Sequence, residues 1–477
     1  MGFDDLRSNM SHIRNIKRRA VLLACLLLGV LTGPVALASG VGATGPLSPA
    51  PFPATSVDFV GYGDGPGVGM GQWGAFGYAV LDHEPYSWIL AHYYGGTTLS
   101  SSDSEVKADP MVSVDINEND GHPVVVTSAS PFSFGSHSFA GGQVARAVLS
   151  AGTWTLSEST ACSSTKWLPV ATGLEDPVAD PYSLAATASA TQVLTICEPS
   201  GNEVPVRGTL EAYAAPTGEV TLNFLPLEQY VRAVISAEVS WSWGLFGESS
   251  GAPQKEPWGF QALEAQAVAT RSYVAAELAS GGWEPYATTC DSYCQSYPGM
   301  AGETADLDAA VTDTAGQILE QPEAGALTGD AGRTVENVQP APGGPAGPTQ
   351  PGVPILAGYS ASTGGYTGGG PFPQVVDLGD VVCIKSHYYS CNPCHKWLAT
   401  VPVSAIEGLF KSIGKLASVE VTERNGLGAL GGRVEAVEVL GTTGASVTVP
   451  PYELGALLAG NNPDHCTSDW FGVTNGP

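Results

Sequence analysis

A carboxylate stands where a helical pattern asks for an apolar side chain. After Pro226, residues Leu227, Tyr230, Val231 and Val234 recur at helical spacing. The next position on that stripe is Glu238, within Ser236-Ala237-Glu238-Val239. A helix C-terminus disfavours negative charge, and Trp241 and Trp243 follow closely enough to exclude water. Both effects favour the protonated carboxyl that a general acid needs. The bland alternative is a helix-end Glu turned to solvent or paired with an arginine. A second helical pattern begins after Pro257, with Phe260, Leu263, Ala267, Thr270, Val274 and Leu278 on its buried stripe. Glu264, Gln266 and Arg271 flank that stripe. Arg271 is the one basic residue in this helix and reads as a charge partner for a buried carboxylate, a substrate contact, or part of a solvated face.

Other chemistry-bearing spacings are weaker. Cys391-Asn-Pro-Cys394-His395 matches a haem-attachment pattern, but Pro393 opposes the helix such a site needs. Cys290 and Cys294 have a spacing that suits zinc, yet no His lies close in sequence. No His-Glu-x-x-His or Gly-x-Ser-x-Gly motif occurs. Gly69-x-Gly71-x-x-Gly74 is formally a dinucleotide fingerprint, without the preceding apolar strand that would give it meaning. Gly61, Gly63, Gly65, Gly67, Gly69 and Gly71 alternate strictly. A strand with that pattern has one face bare of side chains, open to another backbone or to a flat sugar ring.

The elements that must position these residues sit in a chain of 477 residues with 60 Gly, 36 Pro and 43% apolar residues, a composition suited to strands, turns and loops around a sizeable core. Arg14, Lys17, Arg18 and Arg19 precede an apolar run from Ala20 to about Val35, and Ala36-Leu37-Ala38 reads as a cleavage site. Residues 1–38 are thus expected to be a signal peptide, the rival being an uncleaved membrane anchor. The mature chain would keep 14 Lys/Arg against 44 Asp/Glu, a net charge of −30. Such a surface repels nucleic acid and anionic membranes, and leaves a neutral or weakly charged polymer open as partner.

Beyond Cys25, eight cysteines remain, an even number in an exported chain. Proximity suggests Cys162–Cys197 and Cys290–Cys294, with Cys383, Cys391, Cys394 and Cys466 pairing among themselves. Residues 39–56 read as a linker and 57–106 as a Gly-rich strand and helix. Residues 107–220 read as a small all-β domain, with helices expected at about 226–239 and 257–279, and strands returning from 310 to 450. Pro322–Pro354 holds seven Pro and seven Gly without periodicity and reads as a disordered insertion. The expected class is α+β: a β-rich domain over 221–477 with two core helices, plus the small all-β domain.

Several segments, in order, resemble the family of stage II sporulation protein D and LytB-type amidase enhancers. They are Gly65-Pro66-Gly67-Val68-Gly69-Met70-Gly71-Gln72-Trp73-Gly74, Leu225-Pro226-Leu227-Glu228-Gln229-Tyr230-Val231 and Ala237-Glu238-Val239. Ala262–Tyr273, Cys294-Gln295-Ser296-Tyr297 and Tyr359-Ser360-Ala361-Ser362-Thr363-Gly364-Gly365-Tyr366 complete the set. The resemblance implies a lytic transglycosylase acting on peptidoglycan glycan strands, with Glu238 as the catalytic acid. Arg271, Gln295, Ser360, Ser362 and Tyr366 are the secondary candidates for a sugar cleft. It also implies an alternative, a non-catalytic enhancer of a cell-wall amidase. Departures are visible: Pro66 stands where the family carries His, and Gly71 where it carries Ser. Some members hold zinc near the Cys-Gln-x-Tyr segment; the upstream His is missing here, so neither metal nor cofactor is expected.

Overall fold

The two ends of the chain meet in one sheet. The computed structural model describes residues 49–101, 104–182, 192–248, 256–321, 352–385 and 389–475. The expected signal peptide, residues 39–48 of the expected linker and residues 322–351 of the expected insertion lie outside the described residues. Strand Ser56–Gly61 pairs antiparallel with Trp397–Pro402 on one side and Phe471–Val473 on the other. Val57, Phe59, Trp397, Ala399, Val401 and Phe471 bury the inner face of that sheet against the three-stranded sheet of Leu416–Arg424, Val434–Gly441 and Ser446–Val449. The linker reading fails at its end: Phe52 is buried in this core, and its N–H donates to the Leu416 carbonyl.

The β-rich middle consists of a six-stranded and a seven-stranded sheet that share one apolar core. Alternation sets the faces. Val124 and Val126 point inward while Val125 and Thr127 are half-buried, and Ala145 and Ala147 point inward while Arg146 points away. Strand Gly218–Pro226 pairs with both Thr209–Ala215 and Met111–Asp115, and it runs straight through the expected boundary at residue 220. Thr289–Cys290 adds to the same sheet, parallel to Met111–Asp115. One sheet therefore draws strands from both sides of that boundary.

Among the described residues, the longer helices over this core are α1 (Gln72–Gly77), α2 (Tyr86–Tyr93), α3 (Leu227–Glu238), α4 (Phe260–Ser280) and α5 (Ala305–Asp313). α3 starts directly after Pro226, whose fixed φ suits a helix entrance, and stops where Val239 turns extended. α4 ends on Gly281, whose positive φ few other residues tolerate. The expected stripe of α4 understates its burial. Gln261, Glu264, Gln266, Arg271, Ser272 and Glu277 are buried as well, so α4 is the central rod of the fold.

The alternating glycines do not form a long strand. The strand ends at Gly61, and Gly63, Gly65, Gly67 and Gly69 all have φ between 67° and 90°. They build a loop that the rest of the chain packs onto. A Cβ at Gly69 would run into the Gly358 carbonyl, and one at Gly67 into the Arg433 guanidinium. The bare face is filled by the protein itself, where a sugar ring was the alternative.

Candidate functional site

Glu238 is the last residue of α3, and two distant segments converge on it. Its Oε1 accepts the backbone N–H of Ser296 at 3.0 Å, and its Oε2 accepts Gln72 Nε2–H at 3.1 Å. Gln72 opens α1 and is itself held by α4: its Nε2 lies 3.4 Å from Gln266 Oε1, while Gln266 Nε2 donates to Thr270 Oγ1 at 3.2 Å. Each donor on Glu238 is neutral.

The Ser296 N–H is aimed by the turn that precedes it. The Cys290–Cys294 disulfide closes this turn. Gln295 is buried below it, donating to Tyr230 Oη at 3.2 Å and accepting from Tyr359 Oη at 2.9 Å. Tyr230 in turn stacks on Tyr297 with ring centroids 5.5 Å apart. Burial and then the Glu238 charge push the Tyr359 phenol well above its ordinary range, so it stays a donor at any working pH.

Glu238 opens into a cleft of about 570 Å³ whose walls include Gln72, Trp73, Trp243, Ala361 and Ser390. Trp243 is buried and stacks on Phe76 at 4.7 Å, with Trp73 tilted against it at 4.9 Å. Trp241 instead points to solvent, 46% exposed, so of the two tryptophans expected to shield Glu238 only Trp243 builds the wall. Among the described residues lining the cleft, Glu238 is the one ionisable group; Cys391 is tied to Cys383.

The secondary candidates fare differently. Arg271 does not pair with Glu238. It is fully buried and holds Glu228 at the opposite end of α3 through two 2.8 Å bonds, and it also donates to the Gln317 and Val311 carbonyls. Gln295 supports the site from below and does not line the cleft. Ser360 and Ser362 are buried and turned away: Ser360 Oγ accepts the Gly67 N–H at 2.8 Å, and Ser362 Oγ donates to Asp380 at 2.8 Å. Between them Ala361 faces the cleft, as alternation in extended backbone requires. Tyr366 is half-buried and bridges to Val376, with no part in the lining. Gln72 and Ser296 are the contacts that the sequence candidates missed. Gln72 lay in plain view inside the glycine-rich motif. Ser296 acts through its backbone, which leaves no signature in residue type.

Behind Ser362, buried Asp380 also receives His395 Nδ1 at 2.8 Å and the Thr363 N–H at 3.0 Å. Its neighbour Asp377 accepts from Thr363 Oγ1 at 2.7 Å; burial and the Asp380 charge push Asp377 up to about 7. This network fastens the segment carrying Ala361 to Asp377, Asp380 and His395. It is a structural use of carboxylates.

The cysteines pair as Cys162–Cys197, Cys290–Cys294, Cys383–Cys391 and Cys394–Cys466, matching the expected pairs and the expected grouping of the last four. The haem-type and zinc-type spacings are thereby occupied by disulfides. Among the described residues no group of three or more His, Cys, Asp or Glu side chains is placed to hold a metal ion, and no helix is long and apolar enough to cross a membrane. Four disulfides fit an exported protein.

An α+β chain with one carboxylate at the end of a core helix, open to a cleft and held by neutral donors, defines the class. Residues 216–320, which carry α3, α4, Glu238 and Ser296, match the family model of the stage II sporulation protein, SpoIID. This stretch of the chain is thus similar to a SpoIID domain. No curated protein matches the chain, and no solved structure does.

Proposed function

We propose that this protein is an exported lytic transglycosylase that cuts peptide-stripped glycan strands of peptidoglycan between MurNAc and GlcNAc. The observation that carries this reading is the solitary carboxylate of the cleft. Hydrolytic glycosidases use two carboxyl groups, about 5–5.5 Å apart when retaining and about 6.5–9.5 Å apart when inverting. The Glu238 cleft offers one. A reaction that needs no water and no second base fits that inventory.

Glu238 as the acid gives its proton to the glycosidic oxygen, and the C1–O bond to GlcNAc breaks. The resulting carboxylate takes the proton of the MurNAc C6 hydroxyl, and O6 closes on C1. The product is a 1,6-anhydroMurNAc end, and Glu238 ends the cycle protonated as it began. Each carboxyl oxygen of Glu238 has one neutral donor, the Ser296 N–H on Oε1 and Gln72 Nε2–H on Oε2. The Ser296 N–H keeps the carboxyl oriented through both proton transfers.

The test is release of soluble fragments from peptide-stripped strands by the mature chain and by Glu238→Gln. Wild type should release them and the variant should not; equal release by both sinks the proposal. Pro66, exposed where the family resemblance places His, favours the amidase enhancer as the second reading. In that case neither form releases fragments, while both raise the rate of a wall amidase.

A further inference from the structure

A cavity of about 790 Å³ lies on the outer face of the six-stranded sheet and shares no lining residue with the Glu238 cleft. Its floor is Val125, Val144 and Arg146; its walls are two loops joined by the Cys162–Cys197 disulfide. The volume falls within the roughly 300–1,000 Å³ of small-ligand sites.

Arg146 sets its chemistry. Ala145 and Ala147 face the core, so Arg146 faces the cavity. Its guanidinium lies 4.4 Å from the ring centre of Trp167, whose indole N–H is fixed on the Ser164 carbonyl at 2.8 Å. Its Nε is buried without a hydrogen-bond partner. Arg433 Nε is unpartnered too, but Arg433, like Arg207, Arg232 and Arg271, holds a carboxylate, and Arg424 donates to two backbone carbonyls; among the described arginines Arg146 alone has neither. A chain with 46 Asp/Glu against 19 Lys/Arg has no shortage of acids to offer. Burial pushes the Arg146 pKa below the usual guanidinium range, and no neighbouring carboxylate holds it up. A planar cation placed over an aromatic ring and holding no carboxylate of its own is a ready fork for an incoming one.

The rest of the lining narrows the ligand. Glu198 and Glu203 stand at the wall, and Glu198 is already engaged by Ser200 and Asn202. Two carboxylates disfavour a polyanion, whereas a single carboxylate on an otherwise neutral or cationic chain suits one arginine. We infer that this cavity is a second binding site, which takes the terminal carboxylate of a short peptide on Arg146, and that stem peptides of the cell wall are its source. The source rests on the cell-wall reading; the capacity to bind a carboxylate rests on Arg146 and does not involve Glu238.

The test is calorimetric titration of the mature protein with N-acetyl-Lys-D-Ala-D-Ala and with its C-terminal amide. The free acid should bind, and the amide should bind at least about tenfold more weakly. Arg146→Gln should lose the same factor and Arg146→Lys, which keeps the charge without the fork, should fall between. Glu238→Gln should bind as wild type does, which separates this site from the catalytic proposal. Circular dichroism verifies the fold of each variant; if Arg146→Gln fails to fold, Arg146→Lys and the acid–amide ratio decide. Equal binding of acid and amide, no binding of either, or folded Arg146 variants with unchanged affinity overturns the site. Sedimentation with insoluble wall tests the source: retention should fall when an amidase has stripped the peptides, and equal retention overturns stem peptides as the ligand.

Discussion

Glu228 and Glu238 stand at the two ends of one helix and have opposite fates. Glu228, at the N-terminal end, is locked by the buried Arg271 through two 2.8 Å bonds and also accepts the Gly316 N–H at 3.1 Å. A fixed positive charge pairs with it, and the helix dipole favours a negative charge at this end. Glu238, at the C-terminal end, meets only an amide and a backbone N–H, and one side of it is open to the cleft. The same residue type is saturated by a cation at one end of the helix and oriented by neutral donors at the other. The one arginine of α4 is spent on Glu228, which leaves Glu238 without a charge partner, as the proposed acid–base role requires.

Exchanging each glutamate for glutamine sharpens that contrast. Glu238→Gln should lower turnover by about 10³-fold or more while leaving the melting temperature unchanged. Glu228→Gln should do the reverse. It leaves Arg271 buried without its counter-charge and should cost about 3 kcal/mol in a denaturant titration, with the specific activity of the folded fraction kept. If both variants lose activity and stability together, the division of labour is wrong.

Two smaller changes probe how Glu238 is held. Gln72→Ala removes a donor to its carboxylate and should lower kcat by about tenfold, with KM less affected. Replacing both Cys290 and Cys294 with Ser frees the turn that aims the Ser296 N–H. Turnover should fall several-fold, with less stability lost than on removing Cys394–Cys466, whose partners lie 72 residues apart against 4.

A separate expected effect concerns pH. Burial pushes Asp115, Asp291 and Glu277 up to about 7 and Glu264 to about 8, and for Asp115 the charges of Asp120, Asp291 and Glu284 add to it. Between the ordinary carboxylate range and these values the folded chain binds more protons than the unfolded one. Stability therefore falls as pH rises from about 4 to about 8, and is level above that window as far as these groups decide. Melting curves at pH 5 and pH 8 should show the lower temperature at pH 8. A higher one would mean that these carboxylates find cationic partners.

What the sequence made legible follows the range of the interaction. Glu238 stood out because one helix stripe is local information, and the resemblance reached the same residue independently. The helix starts were readable for the same reason, with Pro226 just before α3 and Pro257 shortly before α4. The partner of Arg271 was not, because two glutamates on α3 fit equally well in sequence and only packing chooses between them. Ser360 and Ser362 were assigned to the cleft on the right segment but on the wrong phase of an extended chain; Ala361 has the orientation they lack. The alternating glycines imitated a strand because period two is also what a series of positive-φ turns requires. The boundary at residue 220 failed because strand Gly218–Pro226 serves the β region and the helix entrance at once.

The central claim is that Glu238 alone runs both proton transfers, and the end group of the product tests it most directly. Mass spectrometry of peptide-stripped strands after incubation with wild type should show 1,6-anhydroMurNAc ends, and none with Glu238→Gln. Reducing MurNAc ends from wild type would contradict the account, because they require water and a second base that the Glu238 cleft does not hold.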